Sequence, residues 1–294
     1  MPKGKLLIIG GAEDKGPIRN PPIIKMKNKN YVDYDVLGRM IHQDASGYNR
    51  IEVITTASQQ PLKTGRMYIR SFKKAGFSNV GHISIDNKEE LKNPEHVERV
   101  KNARVVFFSG GDQYRLTSIL TGSELLGVIF KRYEEEPDFM LAGTSAGAMV
   151  MSEHMIYHAE NNEAMLKGHV KITGGFAMLK NCIVDTHFVK RGRYGRLFQA
   201  VLSKEGSFGI GLGEDTGLMI EEGRMATCVG SGMVIVVDQS QVKYMNKPEL
   251  AEDEPISVEN LVVHALTRGD QFDLELRRMV PKNKMAEINS SQSR

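Results

Sequence analysis

Phe139-Met140-Leu141-Ala142-Gly143-Thr144-Ser145-Ala146-Gly147-Ala148-Met149-Val150 is the stretch on which the fold turns. A short apolar run ends in Gly-Thr-Ser-Ala-Gly and passes into small and apolar residues. Four consecutive apolar residues read as a strand buried on both faces, and the segment from Ala146 reads as a helix. G-x-S-x-G between them describes a strand–turn–helix with its serine on a sharp, strained turn. Residues two before and two after the serine must lack bulk for that turn to close. The helix that follows aims its free N–H groups at the serine, where they favour an oxyanion.

The same alternation runs through the chain on both sides of this stretch. Strands are expected at 6–9, 51–55, 80–85 and 105–108, the first ending at Gly10-Gly11 and the last at Gly110-Gly111. Helical spacing falls at 34–43, 62–75, 96–102, once or twice within 113–133, and at 146–154. Short apolar strands alternating with helices specify an α/β fold: a mostly parallel sheet flanked by helices. Past Gly206, short strands at 217–220, 233–237 and 242–244 follow one another with little helix between. They are expected to form an antiparallel extension of the same sheet. No repeat, low-complexity tract or long linker interrupts the chain. The expectation is a single α/β domain over residues 1–294, with a flexible tail from about 284.

The 294 residues are 40% hydrophobic and 26% charged, enough for a sizeable core. Thirty-nine basic against 36 acidic residues leave a net charge of +3, unlike the strongly basic balance of a dedicated nucleic-acid binder. Two cysteines, Cys182 and Cys228, are too few for a disulfide scaffold and fit a reducing compartment. No stretch approaches the roughly 18 apolar residues of a membrane span, and the run at 6–9 is too short for a signal peptide. A cytoplasmic protein without nucleic-acid or membrane partners is expected.

In an open parallel sheet, ligands sit beyond the carboxyl ends of the strands. Five polar or glycine-rich loops fall there: Gly10-Gly11-Ala12-Glu13-Asp14, Gly110-Gly111-Asp112-Gln113, Gly143 to Gly147, Asp185-Thr186-His187 and Gly213-Glu214-Asp215-Thr216. The first is not G-x-G-x-x-G, and Pro17 and Pro21-Pro22 stand where a nucleotide-binding helix would begin. A serine hydroxyl needs a base to take its proton. Of eight histidines, His187 follows the apolar pair Ile183-Val184, which puts an imidazole on the same edge as Ser145. The base in turn needs an orienting acid. Glu214, after Ile210 and Leu212, is favoured over Asp185, which lies about 7 Å from His187 along a strand. The order Ser, His, Glu differs from that of α/β-hydrolases. His154 and His158, four apart, would share a helix face, but the glutamate of H-E-x-x-H is absent. Neither a metal nor a cofactor is expected.

Lys190, Arg191, Arg193 and Arg196 follow directly on His187. The bland reading is a basic, solvated helix start or an RNA-contacting patch, but cations at a helix N-terminus oppose its dipole. The functional reading is bidentate capture of substrate carboxylates beside the active site.

Taken together, the five loops resemble those of the cyanophycinases, serine peptidases related to the aspartyl dipeptidases called peptidase E. The resemblance spans residues 5 to about 240. It implies a fold like that of class I glutamine amidotransferases, with Ser145 as nucleophile, His187 as base and Glu214 as orienting acid. The implied substrate is cyanophycin, an aspartate backbone with arginine joined to each side-chain carboxyl, cut to β-aspartyl-arginine. Gln113, Asp185, Thr186, Arg191, Arg193 and Arg196 fall on implied substrate-groove positions, with Asp185 or Glu13 receiving guanidiniums. The oxyanion is expected on N–H groups of Ala146 and of the Gly111-Asp112 turn. The resemblance also implies a homodimer. Thr186 departs from the pattern, since the family has glutamine between the aspartate and the histidine. An aspartyl dipeptidase, or another acidic-peptide hydrolase, is the alternative enzyme. A non-catalytic protein that binds acidic peptides is the alternative outside enzymes.

Overall fold

Apolar strands that carry no polar face must be covered on both sides, and the first half of the chain does this with nearly every strand it makes. The structure, a computed structural model, describes residues 1–15, 31–40, 50–160 and 165–281. The expected tail from 284, the end of the helix expected at 34–43, and Pro17 with Pro21-Pro22 lie outside the described residues.

The chain first lays down β1 (Lys5–Ile9), β2 (Ile51–Ile54), β3 (Val80–Ile83), β4 (Val105–Phe108) and β5 (Met140–Thr144). These five are parallel, in the spatial order β3-β2-β4-β5-β1. The helices Pro61–Lys74, Pro94–Lys101, Gln113–Leu120 and Glu124–Glu135 fall between them in sequence. Each has a legible start. Proline occupies the first turn of two of them, and the side chains of Asn93, Asp112 and Ser123 accept N–H groups of the helices they open.

After the serine turn, a helix of four residues, Ala146–Met149, gives way to β6 (Ser152–Ala159). The helix expected as far as His154 therefore ends early. Ser152–Ala159 pairs in parallel with β8 (Leu179–Asp185) and antiparallel with the intervening β7 (Val170–Gly174), and this pairing overrides the local helical pattern. His154 and His158 thus lie on a strand with a register shift between Ile156 and His158, not on a helix face.

The helix Tyr194–Leu202 leads to β9 (Phe208–Leu212), β10 (Thr216–Glu221), β11 (Met225–Gly230) and β12 (Val234–Asp238). The last third adds β13 (Tyr244–Met245), β14 (Val258–Glu259), β15 (Val262–Leu266), β16 (Gln271–Asp273) and β17 (Arg278–Val280). The antiparallel extension exists, but it is divided. β10, β11, β16 and β17 extend the first sheet beyond β1, giving it nine strands. β12 and β15 instead extend a second sheet of six strands, ordered β15-β12-β9-β8-β6-β7. β13 pairs only with β14, as a two-stranded ribbon. One contiguous buried cluster runs from Leu6, Ile8 and Leu141 of the first sheet to Ile183, Ile210 and Val236 of the second.

The consequence for the site is that β5 supplies its loop from the first sheet, while β8 and β9, parallel neighbours, supply theirs from the second. The loop after β1 ties the two together. The N–H of Ser145 donates to the Ile9 carbonyl (2.9 Å), that of His187 to Gly10 (2.8 Å) and that of Asp215 to Gly11 (2.9 Å).

Candidate active site

Ser145 has φ 52° and ψ −115°, a conformation L-residues rarely adopt. The turn closes because both flanking glycines are crowded by backbone. A β-carbon on Gly143 would collide with the Gly147 carbonyl, and one on Gly147 with the Phe108 carbonyl. The Ser145 carbonyl accepts the N–H groups of Ala148 and Met149, both at 3.0 Å. Its hydroxyl is thereby lifted off the carboxyl edge of the sheet and left half-buried.

His187 Nε2 lies 3.1 Å from Ser145 Oγ, and His187 Nδ1 lies 2.8 Å from Glu214 Oε1. Lys190 Nζ donates to the other Glu214 oxygen at 2.9 Å. Gly11, at φ 96°, leaves room for the imidazole, which a β-carbon there would strike. With Nδ1–H donated to Glu214, Nε2 carries the lone pair that a base needs toward Ser145. Burial pushes the His187 pKa below its ordinary 6.5, the Glu214 hydrogen bond opposes this, and Arg191 and Arg193 lower it further. Burial alone would raise the Glu214 carboxyl. The hydrogen bonds from Lys190 and His187 outweigh it and leave the group below its ordinary value. A base must be unprotonated to act, so a lowered pKa keeps His187 competent on the acid side of neutrality. The acid limb of kcat/KM is expected at an apparent pKa below 6.5. A pH–rate profile whose acid limb centres above that value would contradict it.

Among the described residues the N–H groups of Ala146 and Gly111 carry no hydrogen bond. Gly110 brings the second of these loops close: a β-carbon on it would lie 3.3 Å from Ser145 Cβ. Asp112 does not fit the expectation of an oxyanion donor. Its N–H is donated to the Ala57 carbonyl (2.8 Å), and its carboxylate Oδ1 accepts the N–H groups of Tyr114 (2.8 Å) and Arg115 (3.1 Å).

The expected substrate contacts divide sharply. Asp185 is fully buried, and Arg196 Nε donates to its Oδ2 at 2.6 Å, while Arg196 Nη2, Arg193 Nη1 (3.3 Å) and the Thr186 N–H (2.7 Å) share Oδ1. Arg193 also donates to the Thr186 carbonyl at 2.8 Å. Burial lowers the Arg193 pKa to about 10, against the raising effect of Asp185, so it stays cationic at neutral pH. Asp185, Arg193 and Arg196 therefore form one mutually hydrogen-bonded cluster, with Asp185 at its buried centre. Thr186 is 1% exposed. Arg191 and Lys190 are the exposed cations of the cluster. Gln113 Nε2 donates to the Ile156 carbonyl of β6 at 3.0 Å, leaving its Oε1 as the free atom of the amide. Asp185→Ala would strand two largely buried guanidiniums, and a loss of about 3–5 kcal/mol of stability is expected. Denaturant unfolding that shifts by less than about 1 kcal/mol would show that the pairs are solvated instead.

Glu13 is likewise buried and not open to a substrate guanidinium. It accepts Tyr68 Oη and Thr144 Oγ1, both at 2.6 Å, and pairs with Lys15 Nζ at 2.9 Å. Burial would raise its pKa, but the Lys15 charge and these hydrogen bonds hold it below its ordinary value. Sequence reasoning flagged the loop but not its work, which is to fix Thr144 beside the serine and to carry the main-chain contacts to His187 and Asp215. The one signal available was two adjacent glycines at a strand end, which say that backbones approach closely but not which ones. Among the described residues, no His, Cys, Asp and Glu cluster able to hold a metal occurs, and no helix is long and apolar enough to cross a membrane.

The sequence model of peptidase family S51 matches residues 26–228. The chain is 33% identical over 279 residues to a cyanophycinase of Nostoc sp., covering 95% of this chain and 88% of the relative. It is 32% identical over 292 residues to a cyanophycinase of Synechococcus elongatus, with 98% and 84% covered. Among solved structures, a peptidase from an acI-B1 Actinobacterium shares the fold at TM-score 0.57 and 21% identity, over 93% of this chain and 98% of that one.

Proposed function

Because the chain belongs to peptidase family S51 and is a peptidase, we propose that it hydrolyses cyanophycin to β-aspartyl-arginine through Ser145, His187 and Glu214. The observation that carries this reading is the relay from the strained Ser145 through His187 to Glu214, at 3.1 and 2.8 Å. Relatives that bear the name cyanophycinase supply the substrate.

His187 Nε2 takes the Ser145 proton as Oγ attacks the peptide carbonyl between aspartates. The oxyanion that forms is held by the N–H groups of Ala146 and Gly111, which are free to donate. Glu214 keeps the imidazole in the productive tautomer and stabilises its charged form. The tetrahedral intermediate collapses as His187 gives its proton to the leaving amine, and the acyl group stays on Oγ. Water, deprotonated by His187, then releases the acyl group and restores the hydroxyl. Lys190 and Arg191, exposed at the rim, are the cations that a substrate carboxylate meets.

The test is incubation of the purified protein with cyanophycin and mass spectrometry of the products. Release of β-aspartyl-arginine is expected. An intact polymer, with Ser145 still labelled by a serine-directed phosphonate, would retain the hydrolase and discard this substrate.

A further inference from the structure

Beside Gly110, whose turn approaches Ser145, Gly111 and Asp112 line a surface cavity of about 400 Å³ with Ser58, Gln59, Gln60 and Thr64. The turn after β2 and the turn after β4 form its walls. They are pinned together by the Asp112 N–H on the Ala57 carbonyl (2.8 Å), and the Ser58–Thr64 hydroxyl pair (2.8 Å) braces the first wall from within. The Gln60 N–H donates to Ser58 Oγ at 3.1 Å. These bonds satisfy the hydroxyls within the wall. What remains to meet a ligand is the Asp112 carboxylate and the exposed amides of Gln59 and Gln60.

Asp112 is the one formal charge among these lining residues. Its Oδ1 is held by the N–H groups of Tyr114 and Arg115, while its Oδ2 has no partner among the described residues. A carboxylate fixed through one oxygen and open at the other is preorganised for a planar cation. The amide oxygens of Gln59 and Gln60 extend the same acceptor character. The exposed charges of these loops thus differ in sign: Lys190 and Arg191 follow β8, while Asp112 follows β4.

We propose that this cavity is a guanidinium subsite, with Asp112 Oδ2 as its anchor, and that it seats an arginine side chain of the substrate. The assignment rests on the cyanophycin reading for the source of that guanidinium, and on the cavity itself for the chemistry. It gives the substrate two handles of opposite charge. An arginine joined to aspartate offers a carboxylate to the cationic rim and a guanidinium to Asp112. Asp112 acts here through its carboxylate, while its N–H serves the turn.

Asp112→Asn tests the subsite, because asparagine caps a helix as well as aspartate and keeps the Gln113–Leu120 helix in place. Two β-linked substrates are compared, one with arginine and one with the neutral isostere citrulline. The wild type is expected to favour arginine, and Asp112→Asn to lower kcat/KM for it about tenfold, chiefly through KM. The preference over citrulline should shrink correspondingly. An unchanged arginine-to-citrulline ratio in Asp112→Asn would overturn the subsite. Chemical-shift titration with N-acetyl-argininamide reads the cavity without turnover. Perturbations at Ser58 to Thr64 that vanish in Asp112→Asn support the subsite even where the polymer is not cut, which separates its fate from that of the substrate. Equal titration of both proteins overturns it.

Discussion

Ser145→Ala is expected to abolish peptide hydrolysis, lowering kcat by about 10⁴-fold or more, with the folded state intact. Among the described residues the Ser145 hydroxyl is hydrogen-bonded to His187 alone, so its loss leaves no fully buried group stranded. Alanine meets the same φ of 52° that serine already tolerates, because the strain belongs to the backbone and to the crowding at Gly143 and Gly147. The melting temperature should therefore move little. The residual rate should come from the oxyanion donors and from binding. Dipeptide release and thermal melting, measured on the same preparations, check both halves. Near wild-type turnover in the variant would remove Ser145 as nucleophile, and with it the acyl-enzyme.

Glu214→Gln is expected to cost about 10³–10⁴-fold in kcat, through the tautomer of His187 and not through its position. Lys190 donates to Glu214 Oε2, so a glutamine at this site would turn its single carbonyl oxygen toward Lys190. Its NH₂ would then face His187 Nδ1, which sits 2.8 Å from the carboxylate in the native protein. Nδ1 must become the acceptor, the ring proton moves to Nε2, and the atom facing Ser145 can no longer take a proton. The signature is a loss in kcat with little change in KM, together with slow labelling of Ser145 by a phosphonate. A variant with kcat within a few-fold of the native enzyme would show that Glu214 is not the orienting acid.

Much of this site could be read from strand ends. Ser145, His187 and Glu214 each follow a short apolar run closed by glycine or polar residues, and local sequence punctuates such strands clearly. What local sequence does not carry is the partner of a strand. The segment from Ser152 begins like the rest of a helix, and only its pairing with β7 and β8 makes it a strand. For the same reason the strands after Gly206 could be found but not sorted between two sheets. The pairing inside the arginine cluster is hidden for another reason. Whether a cation faces a substrate or a buried acid depends on a turn that brings Arg193 and Arg196 back onto Asp185, 8 and 11 residues earlier. Nothing in the spacing of charges distinguishes the two. Asp112 is a third kind of case, since a backbone N–H in a tight turn reveals its acceptor, Ala57, only in three dimensions.

The end of β1 and the loop after it reach the main chain of Ser145, His187 and Asp215 through the carbonyls of Ile9, Gly10 and Gly11. Main-chain contacts do not depend on which side chains the neighbouring loops carry. The geometry around Ser145 is thereby insulated from exposed residues of the neighbouring loops, such as Gln59, Gln60, Lys190 and Arg191. Such a scaffold can drift in selectivity one rim residue at a time while its chemistry stands still, so descendants with new diets need not rebuild the engine.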